Sequence, residues 1–168
     1  MKLRNWTMND ARSLALVINN KKIQNNLRDG LPFPYTIEDA RNYIGTVLEA
    51  EADKSFVYAI VDDQDKVMGN IGLFRQDNIH FRSAEMGYFV GEPYWGKGIA
   101  TAAVQEICQI VFATTDIIRV FAEPFATNAA SCRVLEKSGF KLEGVLLKNA
   151  YKNNHFLDMR LYALIKAL

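Results

Sequence analysis

The sequence predicts one α/β domain over residues 1–168, built on a mixed, mostly antiparallel central sheet flanked by helices. Three observations carry this prediction. Apolar residues recur at helical spacing in some segments and alternate as in strands in others. The predicted elements follow the order β-α-α-β-β-β-α-β-α-β-β, with three successive strands in the middle. The chain has 168 residues, 49% of them hydrophobic, which is enough for one packed core.

The first part of the chain is predicted to hold a strand, two helices and an irregular segment between them. In order these are a strand at 2–6, a helix at 7–20, an irregular segment at 23–35 and a helix at 36–52. Thr7 with Asp10, and Thr36 with Asp39, have the spacing of a helix-start capping box. Pro32 and its neighbours interrupt regular structure between the helices.

After residue 54 the spacing of apolar residues changes from the helical period to the alternation typical of strands, and the remaining elements are predicted from this change. Strands are predicted at 55–63, 66–76 and 82–91, then a helix at 98–115, a strand at 117–125, a helix at 128–138, and strands at 140–151 and 156–168. Gly139 is suited to the left-handed turn that ends a helix. The segment KNNH turns the chain between the last two strands.

Composition excludes several classes of function. The net charge is +1 and no basic stripe is visible, so we expect neither nucleic acid nor a membrane surface as partner. The first residues are too polar for a signal peptide, and we expect a cytoplasmic protein. Cys108 and Cys132 are expected to be small buried side chains. His80 and His155 lie far apart, and we expect no metal site.

The segment GEPYWGKG at 91–98 has the composition of a phosphate-binding loop. A Walker loop needs a hydroxyl residue where Gly98 stands, and a dinucleotide fingerprint needs glycine where Thr101 stands. A third type of phosphate-binding segment, a strand followed by GKGIA and a helix of small residues, fits this sequence better than either motif. Such a segment directs backbone N–H groups and a helix N-terminus at a pyrophosphate.

These residues resemble the GNAT acetyltransferases. Gly98 and Ala100 match the end of the family signature Q/R-x-x-G-x-G/A, and the run YWGKG-A is similar to the RimJ/RimL-type ribosomal-protein N-terminal acetyltransferases. Trp95 takes the place of the usual Gln or Arg. The resemblance continues, in order, through 27–44, 84–91 and 128–140. It implies the GNAT fold.

The resemblance implies acetyl-CoA as donor and cosubstrate, with no metal. The backbone of Phe89 and Val90 is expected to pair with the pantetheine arm, and the glycine loop to hold the pyrophosphate. The full set implied for the cofactor is Phe89, Val90, Trp95, Gly96, Lys97, Gly98, Ile99, Ala100, Thr101 and Asn128.

The resemblance also implies where the chemistry occurs. Glu85, a carboxylate in an otherwise apolar strand, is the candidate base that accepts the amine's proton. Many relatives place a tyrosine where this chain has Leu135, so Ser131, one turn earlier, is the candidate acid for the leaving thiolate. The acceptor is expected near four apolar or aromatic side chains, Leu31, Phe33, Tyr35 and Tyr151.

Two hypotheses from different classes remain open at this point. The first is an N-acetyltransferase that acts on a primary amine, either a protein N-terminus or a small molecule such as a polyamine or an antibiotic. The second is a GNAT module that binds CoA without turnover. Glu85 and the glycine loop favour the enzyme, whereas Leu135 favours the binding module. Either a monomer or a homodimer is compatible with the sequence.

Overall fold

One seven-stranded sheet organises the computed structural model, which describes residues 1–167. Its strands are β1 (Lys2–Arg4), β2 (Ser55–Val61), β3 (Val67–Arg75), β4 (Ser83–Val90), β5 (Arg119–Ala122), β6 (Lys141–Lys152) and β7 (His155–Ile165). They lie in the order β1-β2-β3-β4-β5-β7-β6. All neighbouring strands are antiparallel except β4 and β5, which are parallel. This confirms the predicted mixed, mostly antiparallel sheet.

Helices cover both faces of the sheet. They are α1 (Ala11–Ile18), α2 (Lys21–Gln24), α3 (Ile37–Glu49), α4 (Ile99–Thr114) and α5 (Ala129–Lys137). Val104 of α4 and Leu135 of α5 are fully buried in a core on one face, and Leu14 of α1 and Ile44 of α3 are fully buried in a core on the other. Burying each such side chain contributes about 1.5–3 kcal/mol. The two cores therefore hold β4 between them.

Several local predictions are confirmed. The Thr36–Asp39 capping box forms, with Asp39 N–H donating to Thr36 Oγ1 at 3.1 Å and Thr36 N–H donating to Asp39 Oδ2 at 2.7 Å. The last hairpin turns at Asn153 and Asn154, both with positive φ, as a two-residue hairpin turn requires. Cys108 and Cys132 are both buried.

Other boundaries differ from the prediction. The helix predicted at 7–20 ends at Ile18. A short helix, α2, then begins at Lys21 and extends into the segment expected to be irregular, because the Asn20 side chain accepts the Lys22 N–H at 2.9 Å and caps a new helix. Strand β5 ends at Ala122 rather than 125, since Pro124 has no N–H to continue the ladder. Leu168, the end of the last predicted strand, lies outside the described residues.

Candidate active site

A gap opens in the sheet between β4 and β5. The two strands pair only through Ser83–Arg119, Ala84–Val120 and Glu85–Phe121. Strand β4 continues for five residues to Val90, whereas β5 ends one residue later at Ala122. The second half of β4 therefore has β3 on one side and an open edge on the other.

The register of β3 and β4 decides which backbone groups face the gap. Gly91 N–H donates to Met68 O at 2.8 Å, and Gln76 N–H donates to Ser83 O at 2.9 Å. Because hydrogen-bonded pairs alternate along an antiparallel ladder, Phe89 directs its backbone groups to β3, whereas Tyr88 and Val90 direct theirs into the gap. The Phe89 backbone, which was expected to face the cofactor, is therefore directed at β3 instead, and the backbone groups open to the gap are those of Tyr88 and Val90.

The glycine loop follows β4 and leads directly into α4. Gly96 and Gly98 have φ values of 74° and 75°, and Gly98 is the N-cap of the 16-residue helix. Neither glycine has an atom within 4 Å of the position that a Cβ would take, so their open side faces free space. Trp95 Nε1–H donates to Val90 O at 2.6 Å, which fixes the loop to the end of the strand. The result is an unobstructed cradle of backbone donors at a helix start.

A cavity of about 470 Å³, here called the loop cavity, joins this cradle to the gap. Of the residues expected at the cofactor, it is lined by Phe89, Val90, Trp95, Gly96, Gly98, Ile99, Ala100, Thr101 and Asn128. Arg133 and Lys137 add positive charge to its wall, whereas the charge of Lys22 is paired with Glu92. Lys97 is not among the lining residues, because its ammonium group turns back to donate to Pro93 O at 3.0 Å.

Ser131 and a tyrosine that the sequence analysis missed meet at the gap. Tyr88 Oη lies 2.8 Å from Ser131 Oγ, and Asn128 Oδ1 accepts the Ser131 N–H at 3.1 Å at the start of α5. Burial raises the pKa of Tyr88 to about 12, although the hydrogen bond with Ser131 opposes this shift. The phenol therefore stays protonated at neutral and mildly alkaline pH.

Leu135 takes no part in this cluster. Its side chain is fully buried in the core, so a phenol at that position would have to displace core packing to reach the gap. The phenol is supplied by β4 instead. The alternation in GYFVG was the available signal, because it places Tyr88 on the same face as Met86 and Val90, which pack towards α4.

A second cavity of about 510 Å³, here called the acidic cavity, contains Glu85, Glu123 and Asp29 in its wall. Arg28 donates to both carboxylate oxygens of Glu85, and its Nη2 lies 4.0 Å from Glu123 Oε2. Leu31 and Tyr35 form part of the apolar wall. Burial raises the pKa of Tyr35 to about 12.

Phe33 and Tyr151 do not line the acidic cavity. Phe33 is 52% exposed, with the Lys21 ammonium 4.8 Å from its ring centre. Tyr151 packs against Phe156 and lines a separate cavity of about 280 Å³, which shares Arg28, Asp29 and Glu123 with the acidic cavity. Tyr151 therefore lies beside the acidic cavity and shares no cavity with Ser131.

The loop cavity and the acidic cavity meet at the gap. The residues that line both are Asn26, Leu27, Tyr88, Phe89, Asn128 and Ser131. Two ligands entering from opposite sides would meet beside Tyr88 and Ser131. This arrangement suits transfer of a group between two bound substrates, with a carboxylate on one side and hydroxyl donors on the other.

Two features, a cluster of metal ligands and a membrane-spanning helix, are absent from residues 1–167. No three His, Cys, Asp or Glu side chains in this range are grouped to hold a metal ion. None of the helices described is long and apolar enough to cross a membrane.

Comparison with known proteins identifies an acetyltransferase domain in this chain. A family described as "Acetyltransferase (GNAT) domain" matches residues 1–141. The uncharacterized N-acetyltransferase YoaA of Bacillus subtilis is 29% identical over 166 residues, 98% of this chain and 92% of that protein. The ribosomal-protein-serine acetyltransferase of Escherichia coli is 27% identical over 143 residues, 83% of this chain and 79% of that protein.

A solved structure agrees with the sequence comparison. The microcin C7 self immunity acetyltransferase MccE, in complex with acetyl-CoA and AMP, superposes with a TM-score of 0.84 at 26% identity. The match covers 97% of this chain and 91% of that one. The fold predicted from the sequence is thereby confirmed by an experimental structure of an acetyltransferase.

Proposed function

This chain belongs to the acetyltransferase (GNAT) domain family, and we propose that it transfers an acetyl group from acetyl-CoA to a primary amine that binds in the acidic cavity. The observation that carries the proposal is the meeting of two cavities at one gap beside Tyr88 and Ser131. One cavity contains the phosphate cradle, and the other contains a carboxylate. Both substrates would be present together, and the amine would attack directly.

The loop cavity fits acetyl-CoA. Gly96 and Gly98 leave backbone donors free for a pyrophosphate, and the cationic side chains of the cavity wall complement phosphate charge. The gap-facing backbone of Tyr88 offers an open strand edge to an amide-bearing arm, whereas Val90 O already accepts from Trp95 Nε1–H. Acetyl-CoA supplies the activated acetyl thioester.

Each residue at the gap then has a distinct task. Glu85 accepts the proton that the amine loses as its nitrogen bonds to the acetyl carbon. The N–H of Val90 faces the gap and is placed to donate to the acetyl oxygen as negative charge develops there. Tyr88 Oη, paired with Ser131 Oγ, donates a proton to the sulfur as the carbon–sulfur bond breaks. The products are the N-acetylated amine and CoA.

Two classes of acceptor are proposed, and different observations favour them. A protein N-terminal α-amine is the first candidate, supported by the relative named for a ribosomal-protein serine. A small cationic amine is the second, supported by the three carboxylates in the wall of the acidic cavity. A CoA-binding module without turnover is disfavoured, because Glu85, Tyr88 and Ser131 all lie at the gap.

An amine panel tests the proposal. The protein is incubated with acetyl-CoA and, in turn, peptides with free N-termini, free lysine, polyamines and aminoglycosides, while release of free thiol is followed. We expect release that depends on one class of amine. CoA binding without amine-dependent release from any member of the panel would instead support the binding module.

Removing the two hydroxyls at the gap should show that they share one task. We expect Ser131→Ala alone to slow single-turnover transfer only modestly, because Tyr88 remains and a thiol of pKa near ~8.5 leaves readily. Tyr88→Phe should slow transfer more, by roughly 10²-fold, the low end of the range expected for general acid catalysis. Rapid-quench measurement with CoA affinity checked in parallel provides the test. Full activity in the double variant would assign the proton to water.

A further inference from the structure

Two carboxylates from neighbouring strands flank the start of the gap. Glu85 lies on β4 where its pairing with β5 ends, and Glu123 follows directly after β5. Their side chains are 23% and 22% exposed, and both line the acidic cavity. Partial burial weakens the hydration of both charges, so this pair favours a cation between them.

Arg28 supplies that cation from the loop between α2 and α3. One nitrogen of its guanidinium, Nη2, donates to Glu85 and lies 4.0 Å from Glu123. The Arg28 side chain is 67% exposed, in contrast to the carboxylates that it neutralises. An ion pair with so exposed a partner is screened by solvent and contributes little to stability. Another cation could therefore take the place of the guanidinium at small cost.

The backbone beside Arg28 is anchored independently of this contact. Lys152 donates from the last hairpin to Asp29 Oδ1 at 2.7 Å, and the Lys152 side chain is only 10% exposed. The buried Gln24 side chain also donates from Nε2 to Pro32 O at 3.0 Å, so the loop around Arg28 is held at Pro32 as well as at Asp29. The guanidinium can leave the carboxylates by rotation of its own side chain while the loop stays in place.

We propose that Arg28 is an internal competitor of the acceptor, and that Glu85 and Glu123 together form the subsite for the acceptor's protonated amine. This inference rests on the proposed function and adds Glu123 and Arg28 to it as specificity-determining residues. The acceptor displaces the guanidinium, and its ammonium group takes the place of Nη2. Glu85 accepts one proton from the ammonium group and passes it to solvent, which frees the nitrogen lone pair for attack. The ionised Glu85 then accepts the second proton, which the nitrogen loses as it bonds to the acetyl carbon. Acceptors with a carboxylate next to the amine, such as free amino acids, are disfavoured by Glu85, Glu123 and Asp29.

The kinetic test separates competition from a structural role. Two acceptors are used, a C-terminally amidated peptide without charged side chains and spermidine. With each, Arg28→Ala should lower the acceptor KM by about two- to fivefold and leave kcat nearly unchanged. Glu123→Gln should raise KM. Arg41→Ala, which removes a surface arginine paired with Glu38 on α3, is the matched control. A raised or unchanged KM in Arg28→Ala overturns the proposal.

A second measurement does not depend on turnover. Methylguanidine, a cation without an aliphatic amine to acetylate, is titrated into the parent protein and into Arg28→Ala, and backbone amide shifts of Glu85, Gly87 and Glu123 are followed by NMR. We expect binding about two- to fivefold tighter in Arg28→Ala, because the internal guanidinium no longer competes. Equal binding to both proteins overturns the subsite. Tighter binding without acetylation of any amine would overturn the proposed reaction and leave the cation subsite standing.

Discussion

Glu85→Gln is expected to lower kcat/KM for the acceptor amine by ~10²–10⁴-fold, the range for removal of a positioned general base. Glutamine keeps the shape of the side chain but cannot accept the proton. The loss should be largest near neutral pH, where an N-terminal amine with a pKa near ~8 or a lysine-like amine near ~10.4 is mainly protonated. It should diminish as rising pH removes the proton before binding.

The pH–rate profile of Glu85→Gln is the deciding measurement. CoA affinity should be unchanged, because Glu85 lines the acidic cavity and not the loop cavity. Glu38→Gln, on the exposed surface of α3, removes one carboxylate far from the gap and serves as the control. A profile of Glu85→Gln that parallels the parent at every pH would assign Glu85 to acceptor binding alone.

Gly98→Val is expected to weaken CoA binding by ~10²-fold. Gly98 has a φ of 75°, which a β-branched residue adopts only with strain of about 1–2 kcal/mol. The variant must either keep this strain or rotate the backbone donors that start α4, and lost hydrogen bonds to a charged group cost about 1.5–3 kcal/mol. The added side chain would also occupy the open side of the loop.

Calorimetric titration of CoA into Gly98→Val, with a thermal unfolding curve for the same protein, measures this effect. Gly45→Val makes the same substitution within α3, where φ is not positive and no atom lies within 4 Å of the new Cβ position. Valine and glycine have similar helix propensities, so this control should leave both stability and CoA affinity nearly unchanged. Unaltered CoA affinity in a folded Gly98→Val protein would show that the phosphates bind elsewhere.

The sequence by itself determined the features that depend on neighbours along the chain. The capping box of Thr36 and Asp39 joins residues three apart, and the glycine loop at 91–98 is read from one strand, one turn and one helix start. The alternation of apolar residues placed Glu85 and Met86 on opposite faces of β4. Such features follow from local backbone geometry, which is why the loop and the candidate base could be predicted.

Tertiary structure alone decided how the candidate site is assembled. Tyr88 and Ser131 are 43 residues apart, and their hydrogen bond exists because the fold brings the first turn of α5 beside β4. Arg28 and Glu85 are 57 residues apart, and a loop without a periodic pattern brings them together. The gap itself results from where β5 ends relative to β4, a register that no single segment encodes. Long-range packing selects these contacts, so residue spacing could indicate the face of β4 that carries Tyr88 but not its meeting with Ser131, nor the cation between the two carboxylates.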